Sequence, residues 1–184
     1  IAAQTIGNSG DRDEINGVTI NGTTAVTLNK PIYTGGTGNT ISITANSGNG
    51  NVILDTGTIV LDSLDAGGGN GNITITGSVK GTQALDIFSG SGTTEITGNI
   101  GVGGALTSLD INATGASNTG SITIGGNIGT DSAAGTGVLR LGNADTAGTI
   151  TLGGAEYFTS GAQTYTATAF TVSGTAPEFQ ATNQ

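Results

Sequence analysis

Short stretches in which apolar and polar residues alternate recur along the whole chain. Residues 73–76 read ITIT and residues 149–152 read TITL, so that Ile or Leu occupies every second position and threonine lies between. Such alternation is typical of β-strands with one buried and one solvated face. No window has the apolar spacing of an amphipathic helix, so we expect an all-β protein. The other stretches of this kind are VTI (18–20), AVTL (25–28), ISIT (41–44) and SITI (121–124).

The strands belong to segments that resemble one another. Each segment contains a strand, a polar turn rich in Gly and Asn, a second strand, a glycine and one further apolar residue. The apolar residues that end these segments are Ile32, Ile59, Val79, Ile100, Ile128 and Tyr157, with spacings of 27, 20, 21, 28 and 29 residues. Asn-Gly dipeptides also suit hairpins, but repetition at this period indicates a solenoid. We therefore predict a parallel β-helix, or β-solenoid, of about six coils of roughly 20–30 residues.

Stacked coils place equivalent strands about 4.8 Å apart, so their inward apolar side chains align in columns. The predicted first column is Ile41, Leu64, Leu85, Leu109 and Leu139, and the second is Ile43, Ala66, Ile87, Ile111 and Leu141. The predicted third column is Ile75, Ile96, Ile124 and Leu152, and the fourth is Ile59, Val79, Ile100 and Ile128. The same alignment divides the chain into N-terminal strands or a capping region (1–31), solenoid repeats (32–173) and a C-terminal tail (174–184).

The composition agrees with a core built from small aliphatic side chains. Hydrophobic residues make up 34% of the 184 residues and aromatic residues only 4%, whereas there are 35 glycines. Glycine-rich chains are often disordered, but disordered segments are usually rich in charge. Charged residues are only 9% here, so the alternating pattern is interpreted as an ordered fold.

Charge and missing residue types exclude several functions. The formal net charge is −9, and the only cations are Arg12, Lys30, Lys80 and Arg140. Nucleic-acid binding and attraction to anionic membranes both need clustered cations, so neither is expected. The chain contains no Cys and no His, which excludes Cys/His zinc sites and Ser-His-Asp or Cys-His catalysis. No stretch approaches the ~20 apolar residues of a membrane helix, and the absence of Cys suits a protein that is exported unfolded.

Several units resemble the passengers of the filamentous haemagglutinin type, which are large bacterial exoproteins and adhesins of the two-partner or autotransporter routes. The matching units are ITITGSV (73–79), TEITGNI (94–100), SITIGGNI (121–128), LTSLDINA (106–113) and SGAQTYTATAFTV (160–172). The resemblance covers about residues 40–173 and implies a right-handed parallel β-helix that acts outside the cell as a fibre or adhesin stalk. Neither proline follows an Asn, so the Asn-Pro motifs of the secretion domain are missing. The resemblance therefore implies a shaft segment, with any host or cell-surface glycan or protein bound by other regions.

The residues that follow the first predicted column are polar. Asp65, Asp86 and Asp110 would lie in one outward column, where carboxylate oxygens could hold Ca²⁺. The simpler interpretation is that they are solvated strand residues, with Arg140 offsetting Asp110. Apart from this possible calcium, no cofactor is expected.

Two other functions are compatible with a β-helix. Carboxylate pairs, Asp62 with Asp65 or Asp86 with Asp110, suit carbohydrate cleavage. A β-helical carbohydrate-binding or carbohydrate-cleaving module, such as a phage fibre domain, is therefore the alternative to a shaft. Aromatic residues that could stack on a sugar are scattered, so we do not expect an enzyme. Rows of threonine would suit ice binding, but Glu95 and Gly125 interrupt them.

The two ends of the chain suggest self-association. The run DRDE (11–14) is interpreted as a solvated turn or a cap that prevents edge-to-edge contact. APEFQATNQ (176–184) leaves the repeat as a flexible tail or as a strand on a neighbouring subunit, anchored by Phe179. Solenoids need polar capping repeats to stay separate, and no such cap is evident. We therefore expect that subunits stack end to end into a homopolymer, with Ile1, Ile6 and Phe179 as stacking candidates.

Overall fold

The computed structural model describes residues 6–7, 15–35, 38–64, 71–115, 118–146 and 148–182. One 3-10 turn lies at Asn46–Gly48, and no helix among the described residues is long and apolar enough to cross a membrane. The strands are β1 (Val18–Gly22), β2 (Ala25–Leu28), β3 (Ile32–Tyr33), β4 (Ile41–Ala45), β5 (Asn51–Leu54), β6 (Ile59–Asp62), β7 (Ile73–Thr76), β8 (Ser78–Gly81), β9 (Ala84–Phe88), β10 (Thr94–Ile96), β11 (Leu106–Ile111), β12 (Ile122–Ile124), β13 (Thr136–Leu141), β14 (Thr149–Leu152), β15 (Glu156–Thr159), β16 (Gln163–Tyr165), β17 (Ala169–Val172) and β18 (Glu178–Ala181).

These strands form three faces of a stack of coils. The first face runs β1-β4-β7-β10-β12-β14-β17. The second face begins with β2, β5 and β8, continues through single bridging residues at Ile100 and Ile128, and ends with β15 and β18. The third face runs β3-β6-β9-β11-β13-β16. Every pair of these strands is parallel, and the predicted β-solenoid of about six coils is confirmed.

The inward side chains of the first face show why these sequences form strands. Ile41 pairs with Ile73 and Ile43 pairs with Ile75, and all four are fully buried. The threonines and serines between them point outward, so each strand has one apolar and one polar side. Burial of each Ile contributes roughly 1.5–3 kcal/mol. Because each coil is buried only by its neighbours, stability is a sum along the stack.

The column of the second face changes in side-chain size along the stack. It starts with valine at Val26 and Val52 and ends with aromatic rings at Tyr157 and Phe179. The side chains between these ends are Val79, Ile100 and Ile128, so size increases in one direction. The predicted order of Val79, Ile100 and Ile128 in one column is confirmed, but the place below Val79 that was predicted for Ile59 is occupied by Val52.

The sequence alignment of the second coil was wrong, and three columns change as a result. Ile41 and Ile43 lie beneath Ile73 and Ile75 on the first face, and not beside Leu85 and Ile87. On the third face, Ile59 and Leu61 occupy the positions that were assigned to Leu64 and Ala66. Ala66 lies outside the described residues. SLDA (63–66) matches the text of ALDI (84–87), but the register that is formed places Ile59 against Leu85 and Leu61 against Ile87 and buries both completely.

Coil length varies because the connections vary. Between equivalent first-face residues, the coil from Ile41 to Ile73 has 32 residues and the coil from Ile150 to Phe170 has 20. The strand pairing stays in register through both coils. Insertions therefore project from the stack without disturbing it.

Parallel pairing continues into both terminal regions that were set apart from the repeats. Val18 pairs with Ile41 and Val26 pairs with Val52, so β1 and β2 form a coil of the stack. At the other end, Phe179 in β18 pairs with Tyr157 of the same chain. The sequence predicted that this segment leaves the repeat, but it forms a strand of the same stack. A backbone hydrogen bond from Glu178 N–H to Ala155 O, 2.8 Å long, holds this strand in place.

A column of glycines forms the corner between the first and second faces. A Cβ atom on Gly98 would overlap the carbonyl group of Gly77 in the coil before, and one on Gly126 would lie 2.6 Å from the carbonyl carbon of Gly98. Gly154 and Gly174 continue the column in the same way. Backbones approach too closely here for any side chain, which explains the glycine that follows the strand in each repeat.

Asparagines extend the backbone ladder through the same corner. Asn99 Oδ1 accepts a hydrogen bond from Asn127 N–H at 3.0 Å, and Asn127 Oδ1 accepts one from Ala155 N–H at 2.8 Å. These side chains satisfy backbone donors where regular strand pairing is interrupted. The Gly-Asn pair in TGNI and GGNI is thus explained residue by residue.

We expect Gly98→Ala to destabilise the protein by about 1–3 kcal/mol, because the added methyl must displace backbone of the neighbouring coil. Gly104→Ala is the matched control, since its Cβ would meet no atom closer than 3.3 Å. Urea unfolding followed by circular dichroism measures both variants. Equal stability of Gly98→Ala and Gly104→Ala would contradict the close approach at this corner.

Candidate functional site

A charged column runs along the outside of the third face. Asp86 pairs with Asp110, and Asp110 pairs with Arg140 in the next coil. Arg140 donates two hydrogen bonds of 2.6 Å, one from Nε to Oδ1 and one from Nη2 to Oδ2 of Asp110. This bidentate arrangement uses both oxygens of Asp110. The position below Asp86 is Val60, and the position above Arg140 is Thr164.

Asp86 carries the electrostatic cost of this column. Partial burial raises the pKa of Asp86 above its ordinary value, the Asp110 carboxylate raises it further, and Arg140 partly offsets the shift. The hydrogen bonds that Arg140 donates to Asp110 raise the pKa of Arg140 in turn. The column therefore acts as a short ion-pair ladder between coils.

The predicted calcium ligands are only partly brought together. Asp86 and Asp110 are neighbours, but Asp65 lies outside the described residues, and the residue in register below Asp86 is Val60. In the part of the chain that the structure describes, no group of three or more His, Cys, Asp or Glu side chains is placed to hold a metal ion. Asp62, the other carboxylate considered for catalysis, is buried and accepts a 2.9 Å hydrogen bond from the Leu64 N–H.

The threonine row of the first face is interrupted as expected. Register places Glu95 directly between Thr74 and Thr123. A flat array of hydroxyl groups along this face is therefore broken at its centre by a charged side chain.

The starting end of the stack is apolar and partly exposed. Ile6 bridges to Ile32 on the third face, with backbone bonds from Ile6 N–H to Pro31 O and from Tyr33 N–H to Ile6 O. The Ile6 side chain is 36% exposed. Val18 and Ile20, which begin the first-face columns, are only half-buried. Ile1 lies outside the described residues.

The finishing end of the stack is an aromatic cluster. The rings of Tyr157 and Phe179 are stacked, with centroids 4.8 Å apart and an interplanar angle of 15°. Tyr165 packs against Phe170 at 5.3 Å and edge-on against Phe179 at 6.1 Å. Phe170 is 47% exposed and Phe179 is 43% exposed, whereas Tyr157 is fully buried. Burial raises the pKa of Tyr165.

A groove of about 380 Å³ lies beside the corner near the starting end. The groove is lined by small polar residues and glycine, none of them aromatic: Asn21, Gly22, Thr23, Thr44, Asn46 and Ser47. The exposed aromatic rings lie instead at the finishing end of the columns. The structure thus separates the groove from the side chains that could stack on a sugar ring.

Comparison with known proteins adds no family. No protein-family model matches the chain, and no curated protein and no solved structure matches it. The resemblance to haemagglutinin-type passengers therefore stays a prediction.

Sequence reasoning missed part of the finishing end. It named Phe179 as a stacking residue but counted Tyr165 and Phe170 only among the scattered aromatic residues. These two lie on two other faces and converge with Phe179 only in the fold. Phe170 extends the inward column above Ile150, and the alternation in TAFTV (168–172) agrees with that position. The amino-acid sequence did not indicate that this position is the last of its column in the described stack.

We expect Asp86→Asn to stabilise the protein at neutral pH. The raised pKa means that the folded state holds the Asp86 proton more tightly than the unfolded state. The unfolding free energy therefore falls as pH rises from the pKa of Asp86 in the unfolded state through its higher pKa in the folded state. The substitution removes this fall, so the free energy of unfolding should increase by roughly 0.2–1 kcal/mol at pH 7 and stay unchanged at pH 3. Urea unfolding at pH 3 to 8 measures it, and Asp145→Asn, at an exposed loop carboxylate, is the control. A fall in Asp86→Asn as large as in the parent chain would contradict this account.

We expect millimolar Ca²⁺ to leave the melting temperature of the parent chain unchanged, because Arg140 already occupies both Asp110 oxygens. Calcium takes about 6–8 oxygen ligands, far more than Asp86 alone can offer. The comparison is Arg140→Gln, which frees Asp110 and leaves two like charges in contact. Differential scanning fluorimetry with Ca²⁺ or Mg²⁺ measures the effect. A calcium-specific increase in the parent chain would revive the metal site.

Proposed function

We propose that this protein is a structural one, a rigid β-solenoid shaft segment of an extracellular fibre. The observation that carries the proposal is the uninterrupted parallel pairing of the first face, which runs through seven strands with buried aliphatic columns. A rod with such ladders resists bending, because bending must stretch backbone hydrogen bonds on one face. Six spacings of about 4.8 Å make the described rod about 29 Å long on this face.

The lateral surface supports a scaffolding role. Outward positions of the faces carry threonine, serine and asparagine, which keep the rod hydrated, and in the charged column Arg140 neutralises Asp110. The exposed large hydrophobic side chains among the described residues are Ile6, Val102, Phe170 and Phe179. Three of these four lie at the ends of the stack, so the sides offer little apolar area to a partner.

A location outside the cell is part of the proposal. It is supported by the absence of Cys, by the acidic and weakly charged composition, and by the resemblance to exported bacterial passengers. Adhesion to a host or cell-surface glycan or protein would then be a task of other regions of the fibre. The alternative, a carbohydrate-binding or carbohydrate-cleaving module, lacks aromatic side chains in the described groove.

We expect cleavage of an exposed loop to leave the rod intact, because each coil is held to its neighbours by ladders on three faces. Limited proteolysis at the loop around Val102, which is 38% exposed, should give two fragments that stay associated and separate only in denaturant. Size-exclusion chromatography followed by denaturing electrophoresis measures this. Leu109→Asp, which places a charge in a fully buried column, should instead be degraded completely, whereas the outward Thr151→Asp, whose register neighbours are Thr123 and Thr171, should behave like the parent chain.

A glycan array and assays of polysaccharide cleavage provide the opposing test. Specific binding or cleavage by the isolated chain would favour the carbohydrate-active alternative. Dissociation of the nicked chain under native conditions would contradict the shaft.

A further inference from the structure

We infer that copies of this chain stack head to tail, with β17 and β18 of one copy pairing in parallel with β1 and β2 of the next. The inference rests on the proposed structural role and names the partner of its exposed ends, which is a second copy of the same chain. The register that the solenoid itself uses predicts the contacts.

The two ends of the stack have complementary shapes, because different faces extend furthest at each end. At the starting end, the third face extends one level below the first complete coil, because Ile6 lies beneath Ile32. At the finishing end, the first and second faces extend one level further, because β17 and β18 lie above β14 and β15. The last described third-face residue is Tyr165. A second copy placed in register brings its Ile6 above Tyr165, and together β17, β18 and this Ile6 complete one coil.

The backbone hydrogen bonds of inward residues on the first face point in one direction along the stack. In successive coils, Val18 N–H donates to Thr40 O and Ile41 N–H donates to Asn72 O, always toward the following coil. The carbonyl of Leu152 accepts from Ser173 N–H, again from the following coil. By equivalence, Phe170 N–H and the Val172 carbonyl point out of the finishing end, toward Gly17 O and Asn21 N–H of the next copy.

The second face repeats this pattern. Ile100 N–H donates to Asn127 O, and Ile128 N–H donates to Glu156 O in the following coil. Phe179 N–H is therefore directed toward Ala25 O of the next copy. Sheet edges with such unpaired groups template the addition of further strands.

Apolar side chains of the inward columns would meet across the joint. Inside the solenoid the inward columns are fully buried, but at the finishing end Phe170 and Phe179 remain nearly half exposed. In the stacked arrangement Phe170 meets the half-buried Val18, and Phe179 meets Val26, which is itself only 6% exposed. The apolar area that becomes covered therefore comes chiefly from Phe170, Phe179, Ile6 and Val18, and burial of apolar surface is the main source of free energy for association.

The described outward residues of β1, β2, β17 and β18 place no like charges together at this joint. Thr171 lies over Thr19, and Glu178 lies over Ala25, so among these strand residues no carboxylate faces another. Two finishing ends brought together in a symmetric pair would instead present the same step to each other, with neither able to cover Tyr165 on the third face. The structure thus favours a heterologous contact, which repeats without closing and forms a filament.

The inference predicts a measurable spacing. Val18 and Phe170 are six levels apart on the first face, and the next copy begins one level higher, so each copy occupies seven levels. Fibres should therefore show an axial repeat of about 34 Å in addition to the spacing of about 4.8 Å between strands. Electron microscopy or fibre diffraction of the concentrated 184-residue chain measures both.

Complementary blocked variants test the polarity of the joint. Phe170→Glu with Phe179→Glu blocks the finishing end, and Ile6→Glu with Val18→Glu blocks the starting end. All four side chains are partly exposed, and circular dichroism and melting curves verify that each variant folds. Ser42→Glu with Thr151→Glu, at two outward positions of the first face whose register neighbours are all threonine, is the control that adds the same two charges.

We expect the parent chain and the control to form assemblies whose mass rises with concentration, and each blocked variant alone to stay at 17.8 kDa. An equimolar mixture of the two blocked variants should form a dimer and nothing larger, because only one joint remains competent. Light scattering coupled to size-exclusion chromatography measures these masses.

Two results would overturn the inference. A variant with a blocked starting end that dimerises alone would show a symmetric contact between finishing ends. A parent chain that stays at 17.8 kDa at every concentration would exclude self-stacking. The second result leaves the shaft role standing if the nicked rod still holds together, so failure of the joint and failure of the proposed function are distinguishable.

Discussion

The parallel backbone ladder between successive coils is the interaction on which the rest of this structure depends. It holds equivalent residues at one strand spacing, so whatever occupies a position in one coil contacts its counterpart in the next. Inward positions must therefore be apolar and similar in shape, and the corner where backbones come closest must be glycine. The same constraint brings Asp86 against Asp110, and Arg140 in the following coil compensates for that contact.

Where the ladder is interrupted, short polar side chains take its place. Asn112, which is fully buried, accepts a hydrogen bond from Ser89 N–H at 2.9 Å and donates one to Ser89 Oγ at 2.9 Å. Asn127 does the same task at the glycine corner. Buried polar groups cost free energy unless they are paired, so the asparagines that the sequence presents as turn residues are also part of the core.

Alternation and repetition were sufficient to predict the class of fold and the column of Val79, Ile100 and Ile128. They failed in the second coil, because SLDA (63–66) matches the text of ALDI (84–87), whereas the register that is formed places the dissimilar Ile59 and Leu61 against Leu85 and Ile87. The charged site was half predicted: Asp86, Asp110 and Arg140 do align, whereas the third acid was placed through the wrong register. The stepped ends were beyond prediction, since Tyr165 and Phe170 come together from different faces and no local pattern records that.

The gradation from valine to tyrosine and phenylalanine on the second face has a consequence for folding. Nearly identical coils invite misalignment, in which one strand pairs with a neighbour one level too far along. Such a slip would place Tyr157 in the space of Ile128, or leave a cavity where an isoleucine replaces an aromatic ring, and both cost stability. Side-chain volume thus marks position along the stack in three blocks, valine, isoleucine and aromatic, and penalises a slip wherever it crosses from one block to the next.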